Sequence, residues 1–290
     1  MGWTSKSLGW LGFAPLLWAV AAGGQAYRTP ARASWTEDPA TTATITWDRP
    51  EAGRGMVRYG TTTHFTHLER DGGGTHLHAI PVRGLEPGTR YYYEASSTDG
   101  YAQPGTFRTA PAAGQPLHFV FHGDLQGGID ETGARGVAAQ IAAEDPPFVV
   151  SLGDMAEEAF SDSGFETWDV FFRICSNELA QAVYMPIMGN HDAAPGSDVT
   201  RGLYQRLFSL PEPSLGNGTY SFAVGNVRFI SLNTEVDAGA QNDWLARELQ
   251  AAANDPAAVW TIALCHRPPY SNGERAGDDH YNTNRIPLLT

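Results

Sequence analysis

Four apolar runs in this chain each end on a residue of the kind that binds ions: "FVFHGDLQ", "FVVSLGDMAEE", "YMPIMGNHDA" and "TIALCHRPPYS". A short apolar run rich in β-branched and aromatic side chains reads as a buried strand, and Gly-Asp or Gly-Asn after it as a turn. In an open α/β sheet the carboxyl ends of the strands converge on one edge, where ligands bind. Asp124, Asp154, Asn190 and His266 are therefore expected to face one another despite their separation in sequence. Aspartate and asparagine oxygens with imidazole suit divalent or trivalent first-row metals. A bridging aspartate holds two such ions about 3.5–4 Å apart in the arrangement used for phosphoester hydrolysis. A single Gly-Asp is more often only a turn, and an isolated histidine more often a core or surface residue. The ordered set carries the weight, with Gly-Asn-His-Asp its most specific member.

The rest of the chain supplies a frame for those ends. After Gln115, strand candidates at 117–122, 148–152, 183–188, 227–232 and 258–265 alternate with helical patterns. Ala134, Val137, Ala138, Ile141 and Ala142 recur at helical spacing behind an Asp130 cap. Phe165, Trp168, Phe172, Cys175 and Leu179 form a second apolar stripe, and Trp244, Leu245, Leu249 and Ala252 a third. "TYSFAVGNVRFISL" reads as two strands joined by a Gly225-Asn226 hairpin turn. Strands alternating with helices predict an α/β layered domain over 116–290. Residues 27–112 instead hold short strand runs separated by turns, the pattern of a small β-sandwich. Trp47 is its core candidate, and Tyr91 and Tyr93 beside Pro87-Gly88 occupy the setting of a tyrosine corner. His64, His67, His76 and His78 are expected at its surface.

Composition narrows the partners. Among 290 residues, 19 basic and 32 acidic side chains give a formal charge of -13. Such a surface repels polyanions, so nucleic acid is not an expected partner. A phosphate group would need a site with its own positive charge, and bound metal supplies one. Residues 1–26 read as an export signal: Lys6 in the n-region, "LGWLGFAPLLWAVAA" as the h-region and "GGQA" at the cleavage site. The apolar run is too short for a membrane span and Pro15 interrupts it, so the protein is expected to be secreted or periplasmic. Cys175 and Cys265 could pair in an oxidising compartment, but two cysteines this far apart make no disulfide scaffold and buried free thiols are the favoured reading. Oligomeric state is left open by the residues.

The second domain resembles the calcineurin-like metallophosphoesterase superfamily, whose ordered motifs are D-x-H, GD, GNH[DE], a strand-borne His and a final GHxH. The chain from residue 27 onward is similar to purple acid phosphatase-like enzymes, which place a fibronectin-type-III-like sandwich before the catalytic domain. The matching text includes "VRYG", "GLEPGTRYYYEA", "GTFRTAP", "GNHD", "VRFISLNTE", "QNDWLARELQ" and "HRPPYS". The resemblance implies an α-β-β-α sandwich and a phosphoesterase acting on small phosphate esters, monoesters first and diesters as the alternative. It implies two metal ions drawn from Fe, Mn, Zn or Mg. It assigns Asp124 to the first metal, Asp154 to both as a bridge, and Asn190 and His266 to the second. His191 takes the place of the residue that contacts the phosphate and protonates the leaving group, with Asp192 beside it as the catalytic carboxylate expected to orient the imidazole. Arg267 is either a phosphate contact or a solvent-facing arginine, and His280 lies where related enzymes carry an active-site loop histidine.

Three departures stand out. Gln126 occupies the place of the D-x-H histidine, and Glu157 that of the tyrosine that colours purple acid phosphatases. Either the Gln126 carbonyl or the Glu157 carboxylate supplies a hard ligand, or both merely line the site. Without the tyrosinate the iron-loaded protein is expected to lack its visible band. The GHxH segment is absent from the 290 residues, so the catalytic domain is expected to be incomplete, with impaired metal binding and activity. A non-catalytic binding or adhesion protein with a decayed phosphatase domain is the reading from a different class.

Overall fold

A computed structural model describes residues 28–157, 164–192, 204, 206–211, 218–236 and 238–269. The export-signal residues 1–26 and His280 lie outside the described residues. The amino-terminal part is built from β1 (Arg32–Ser34), β2 (Thr42–Gly53), β3 (Gly55–Gly60), β4 (His67–Arg70), β5 (Thr75–Arg83), β6 (Arg90–Ser97) and β7 (Ala102–Arg108). The remainder runs β8 (Val120–His122), α1 (Gly127–Glu144), β9 (Phe148–Ser151), α2 (Gly164–Ile174), α3 (Ser176–Leu179) and β10 (Val183–Tyr184). It continues through β11 (Tyr220–Val224), β12 (Val227–Leu232), α4 (Ala238–Asn254) and β13 (Trp260–Cys265).

Three sheets result, with strand orders β5-β2-β1-β10-β9-β8, β11-β12-β13 and β4-β3-β6-β7. The first departs from a simple two-domain expectation. β1 pairs antiparallel with β2 and parallel with β10, Ala33 opposite Val183, so one sheet of the sandwich continues into the sheet of the α/β part. Side chains alternate across the strands and sort into layers. On β9, Phe148 and Val150 join Phe222 and Phe229 between the two sheets, whereas Val149 faces Trp168 and Phe172 of α2. On β12, Phe229 points into the same inter-sheet layer, while Ile230 and Leu232 meet Trp244 and Leu245 of α4. The inter-sheet core is continuous with that of the sandwich, which contributes Trp35, Ile45 and Trp47.

Local chemistry agrees with much of the sequence reading. The Tyr91 hydroxyl accepts the Glu86 N–H at 2.9 Å, as a tyrosine corner requires. Gly225 adopts φ +60° between β11 and β12, the left-handed backbone a two-residue hairpin needs. α1 starts at Gly127, so Asp130 lies inside it rather than capping it. The second stripe is split into α2 and α3, and β8 and β10 are shorter than expected. His78 is a correction: it is fully buried, with Nδ1 2.5 Å from the Asp71 carboxylate and its ring over Trp47. It sits opposite Trp47 in the β2–β5 register, facing the core, which a single residue in a polar stretch does not announce. Cys175 and Cys265 are free thiols in separate layers.

Candidate metal centre

The loops after β8, β9, β10 and β13 meet at one edge. After β8 the chain turns at Asp124, whose N–H donates to the Gly153 carbonyl at 3.1 Å, and the Leu152 N–H donates back to His122. Asp124 and Asp154 both have left-handed backbones, φ +60° and +52°. Such angles are unfavourable for side chains with a Cβ and cluster at functional sites. After β10 the extended chain follows β9, Met185 N–H donating to Val149 and Ile187 N–H to Ser151, and delivers Gly189 against the 153–154 turn. A Cβ on Gly153 would lie 2.7 Å from the Gly189 Cα, and one on Gly189 would collide with the Asp154 backbone nitrogen. Only glycine at both places lets the two turns approach this closely.

His266 joins these turns from β13. Its Nδ1 lies 2.8 Å from the Leu152 carbonyl and so carries a proton. Its Nε2 faces two acceptors, Asp154 Oδ2 at 3.2 Å and Asn190 Oδ1 at 3.1 Å. Three electron-pair donors pointing at one another require a cation between them, a proton or a metal ion. Ligand atoms of Asp124, Asp154 and His266 all lie within 4.8 Å of one another, Asp124 being exposed and Asp154 buried. Burial opposes charge on both Asp154 and His266. Their pairing outweighs it, holding the Asp154 carboxyl below the usual range and raising the imidazole to about 9. Gln126, two residues after Asp124, is buried with its Oε1 unpartnered among the described residues. A buried orphaned carbonyl oxygen costs stability unless something occupies it. The oxygen-rich donor set with one imidazole fits a hard or borderline ion.

His191 and Asp192 separate. The His191 N–H donates to Asp154 Oδ1 at 2.8 Å, and its Nε2 lies 4.0 Å from Asp154 Oδ2. Its Nδ1 is 3.2 Å from Glu157 Oε1, an ion-pair distance off the line of a hydrogen bond. Asp192, expected beside that imidazole, turns inward instead. Its fully buried carboxylate accepts the N–H groups of Asp154, Met155, Ala156 and Gly189. Burial pushes the Asp192 carboxyl up to about 7, against the pull of these bonds. Arg267 donates to both oxygens of Glu235, at 2.8 and 3.2 Å, so its charge is matched within the protein.

The end of β12 brings a further polar cluster. There Asn233 is buried with its amide on Met188 Sδ, its Oδ1 accepts the Glu235 N–H, and Glu235 takes Arg267. The polar triplet Asn233-Thr234-Glu235 after an apolar strand is the same signal that marked the other four ends.

Residues 117–288 match the family model for calcineurin-like phosphoesterases, and residues 29–109 that for the purple acid phosphatase N-terminal domain. Purple acid phosphatase 23 of Arabidopsis thaliana is 27% identical over 274 residues, 81% of this chain and 59% of the relative. Acid phosphatase type 7 of Mus musculus is 26% identical over 283 residues, 84% of this chain and 60% of the relative. The chain thus spans about three fifths of the length of these relatives. The structure of a purple acid phosphatase from yellow lupin (Lupinus luteus) seeds shares the fold, with a TM-score of 0.73 at 19% identity. That match covers 91% of this chain and 56% of the lupin one.

Proposed function

Because the chain belongs to the calcineurin-like phosphoesterase family, we propose that it is an exported, metal-dependent phosphoesterase that hydrolyses phosphate monoesters at the edge where the strand ends meet. The observation that carries this reading is the convergence of Asp154 Oδ2 and Asn190 Oδ1 on His266 Nε2. Asp124, Asp154, Asn190 and His266 would hold two ions, with the orphaned Gln126 oxygen as a further ligand. When bound, the ions activate water and neutralise the phosphate. Export follows from the residue pattern at 1–26; among the described residues no helix is long and apolar enough to cross a membrane.

The chain's own groups divide the remaining work. His266 is held by Leu152 in the tautomer that leaves Nε2 as the ligand atom, the usual outer-shell device in metal sites. His191 stands beside Asp154 with its ring partly open to solvent, placed to give a proton to the departing ester oxygen. Glu157 lies against Nδ1 of that ring, its Oε1 3.2 Å away. The Arg267–Glu235 pair borders the site as a neutral unit, so phosphate charge is met mainly by the ions.

The test is turnover of p-nitrophenyl phosphate and of its bis ester by the protein supplied with Mn, Zn or Fe. Hydrolysis of the monoester is expected. Asp154→Asn should lose more than the roughly 10–100-fold typical of removing an outer-shell partner. Preference for the bis ester would make it a diesterase, and no turnover with any metal would refute the reading.

A further inference from the structure

We propose that Asp192 is a positioning residue: it holds the loop carrying Asp154 in its ligating shape and so sets how tightly the centre takes metal, without touching metal or substrate. The inference rests on the reading of Asp154 as a metal ligand. Asp192 ends the Gly-Asn-His-Asp run, yet its carboxylate is fully buried and its hydrogen-bond partners among the described residues are backbone N–H groups. Oδ1 accepts the N–H groups of Met155 at 2.8 Å and Ala156 at 3.0 Å. Oδ2 accepts those of Asp154 at 2.9 Å and Gly189 at 2.8 Å. Three successive N–H groups closing on an anion form a backbone nest.

Such bonds to a charged acceptor replace the water that burial removes. They also do something specific to the site. Asp154 sits at φ +52°, a left-handed conformation uncommon outside glycine, asparagine and aspartate, and Asp192 grips its N–H and the next two. The fourth bond ties that turn to Gly189, one residue before Asn190. One side chain therefore fixes the spacing between two ligand-bearing loops from behind. An acid–base role would need at least one oxygen directed at a reacting group, and both are taken up by amides.

Asp192→Asn replaces one acceptor by a donor aimed at two N–H groups, so two of the four bonds are lost. Titration of the protein with Mn²⁺ by calorimetry should show affinity about 10–100-fold weaker than wild type. Turnover of p-nitrophenyl phosphate at saturating Mn²⁺ should fall far less than the affinity does. Unchanged affinity in Asp192→Asn would overturn the inference alone. Lost turnover at saturation with affinity intact would also overturn it, by placing Asp192 in the chemistry. A wild-type protein that takes up no Mn²⁺ would instead overturn the metal-centre reading. Should the variant not fold, hydrogen exchange on the metal-free wild type still decides. The amides of Asp154, Met155, Ala156 and Gly189 are expected to be protected, and exchange at the open-chain rate would refute the clamp.

Discussion

At the residue scale, His266 gives the centre a pH dependence whose sign follows from its partners. Without metal, Nε2 shares a proton with Asp154 and Asn190, and the pKa is raised to about 9. A raised imidazole pKa adds stability that is fully present below the unfolded value and is lost as pH rises through about 9. Metal must displace that same proton. The apparent affinity of the ion held by His266 should therefore fall about tenfold for each pH unit below the raised pKa, with about one proton released from His266 as that ion binds near neutrality. Calorimetry in buffers of different ionisation enthalpy measures the released proton directly; metal uptake with no proton released would contradict the assignment. Asp124, Asp154, Asn190 and His266 are legible in sequence because each follows an apolar strand. The tasks of Asp192, Glu157 and Glu235 are not, since they depend on which backbone or ring lies opposite after folding.

At the scale of elements, the site is a packing of two turns, 152–156 and 188–192, against each other. Gly189 lies against the Asp154 backbone, which cannot move aside as a flexible side-chain tip would. Gly189→Ala should therefore cost about 1–3 kcal/mol of stability, the usual range for overpacking. It should weaken metal binding as well, because the displaced atoms belong to the turn that carries Asp154, the proposed bridging ligand. Denaturant titration and metal titration of the same variant check both; wild-type values in each would show that the turns are not in the tight contact described. The hairpin at Gly225 and the tyrosine corner at Tyr91 were readable because both are local and depend on a few neighbouring residues. The lengths of β8 and β10 were not, because the apolar runs continue as extended chain beyond the last ladder bond.

At the scale of the whole molecule, the sandwich and the α/β part share a sheet and a core. Trp35, fully buried just after β1, packs on Phe148 and Phe222 with ring centroids 5.1 and 6.3 Å apart. Arg206 reaches across to Asp48 of β2 with bonds of 2.6 and 3.0 Å. Such a junction should make the protein unfold as one unit. Trp35→Ala should cost about 3–5 kcal/mol and lower a single transition, whereas two separable transitions in urea would argue for independent domains. The change of pattern after Gln115 separates strand runs from strand–helix alternation, but nothing in it announces that β1 pairs with β10. Parallel pairing between strands so distant in sequence leaves no periodic trace in either. The whole account turns on four strand ends forming one metal centre. Anomalous diffraction at the zinc edge from zinc-loaded crystals tests that most directly. The account predicts density at coordination distance, about 2.0–2.2 Å, from Asp154 Oδ2, Asn190 Oδ1 and His266 Nε2. Zinc bound elsewhere, with Asp154 Oδ2 and Asn190 Oδ1 still paired with His266 Nε2, would contradict it.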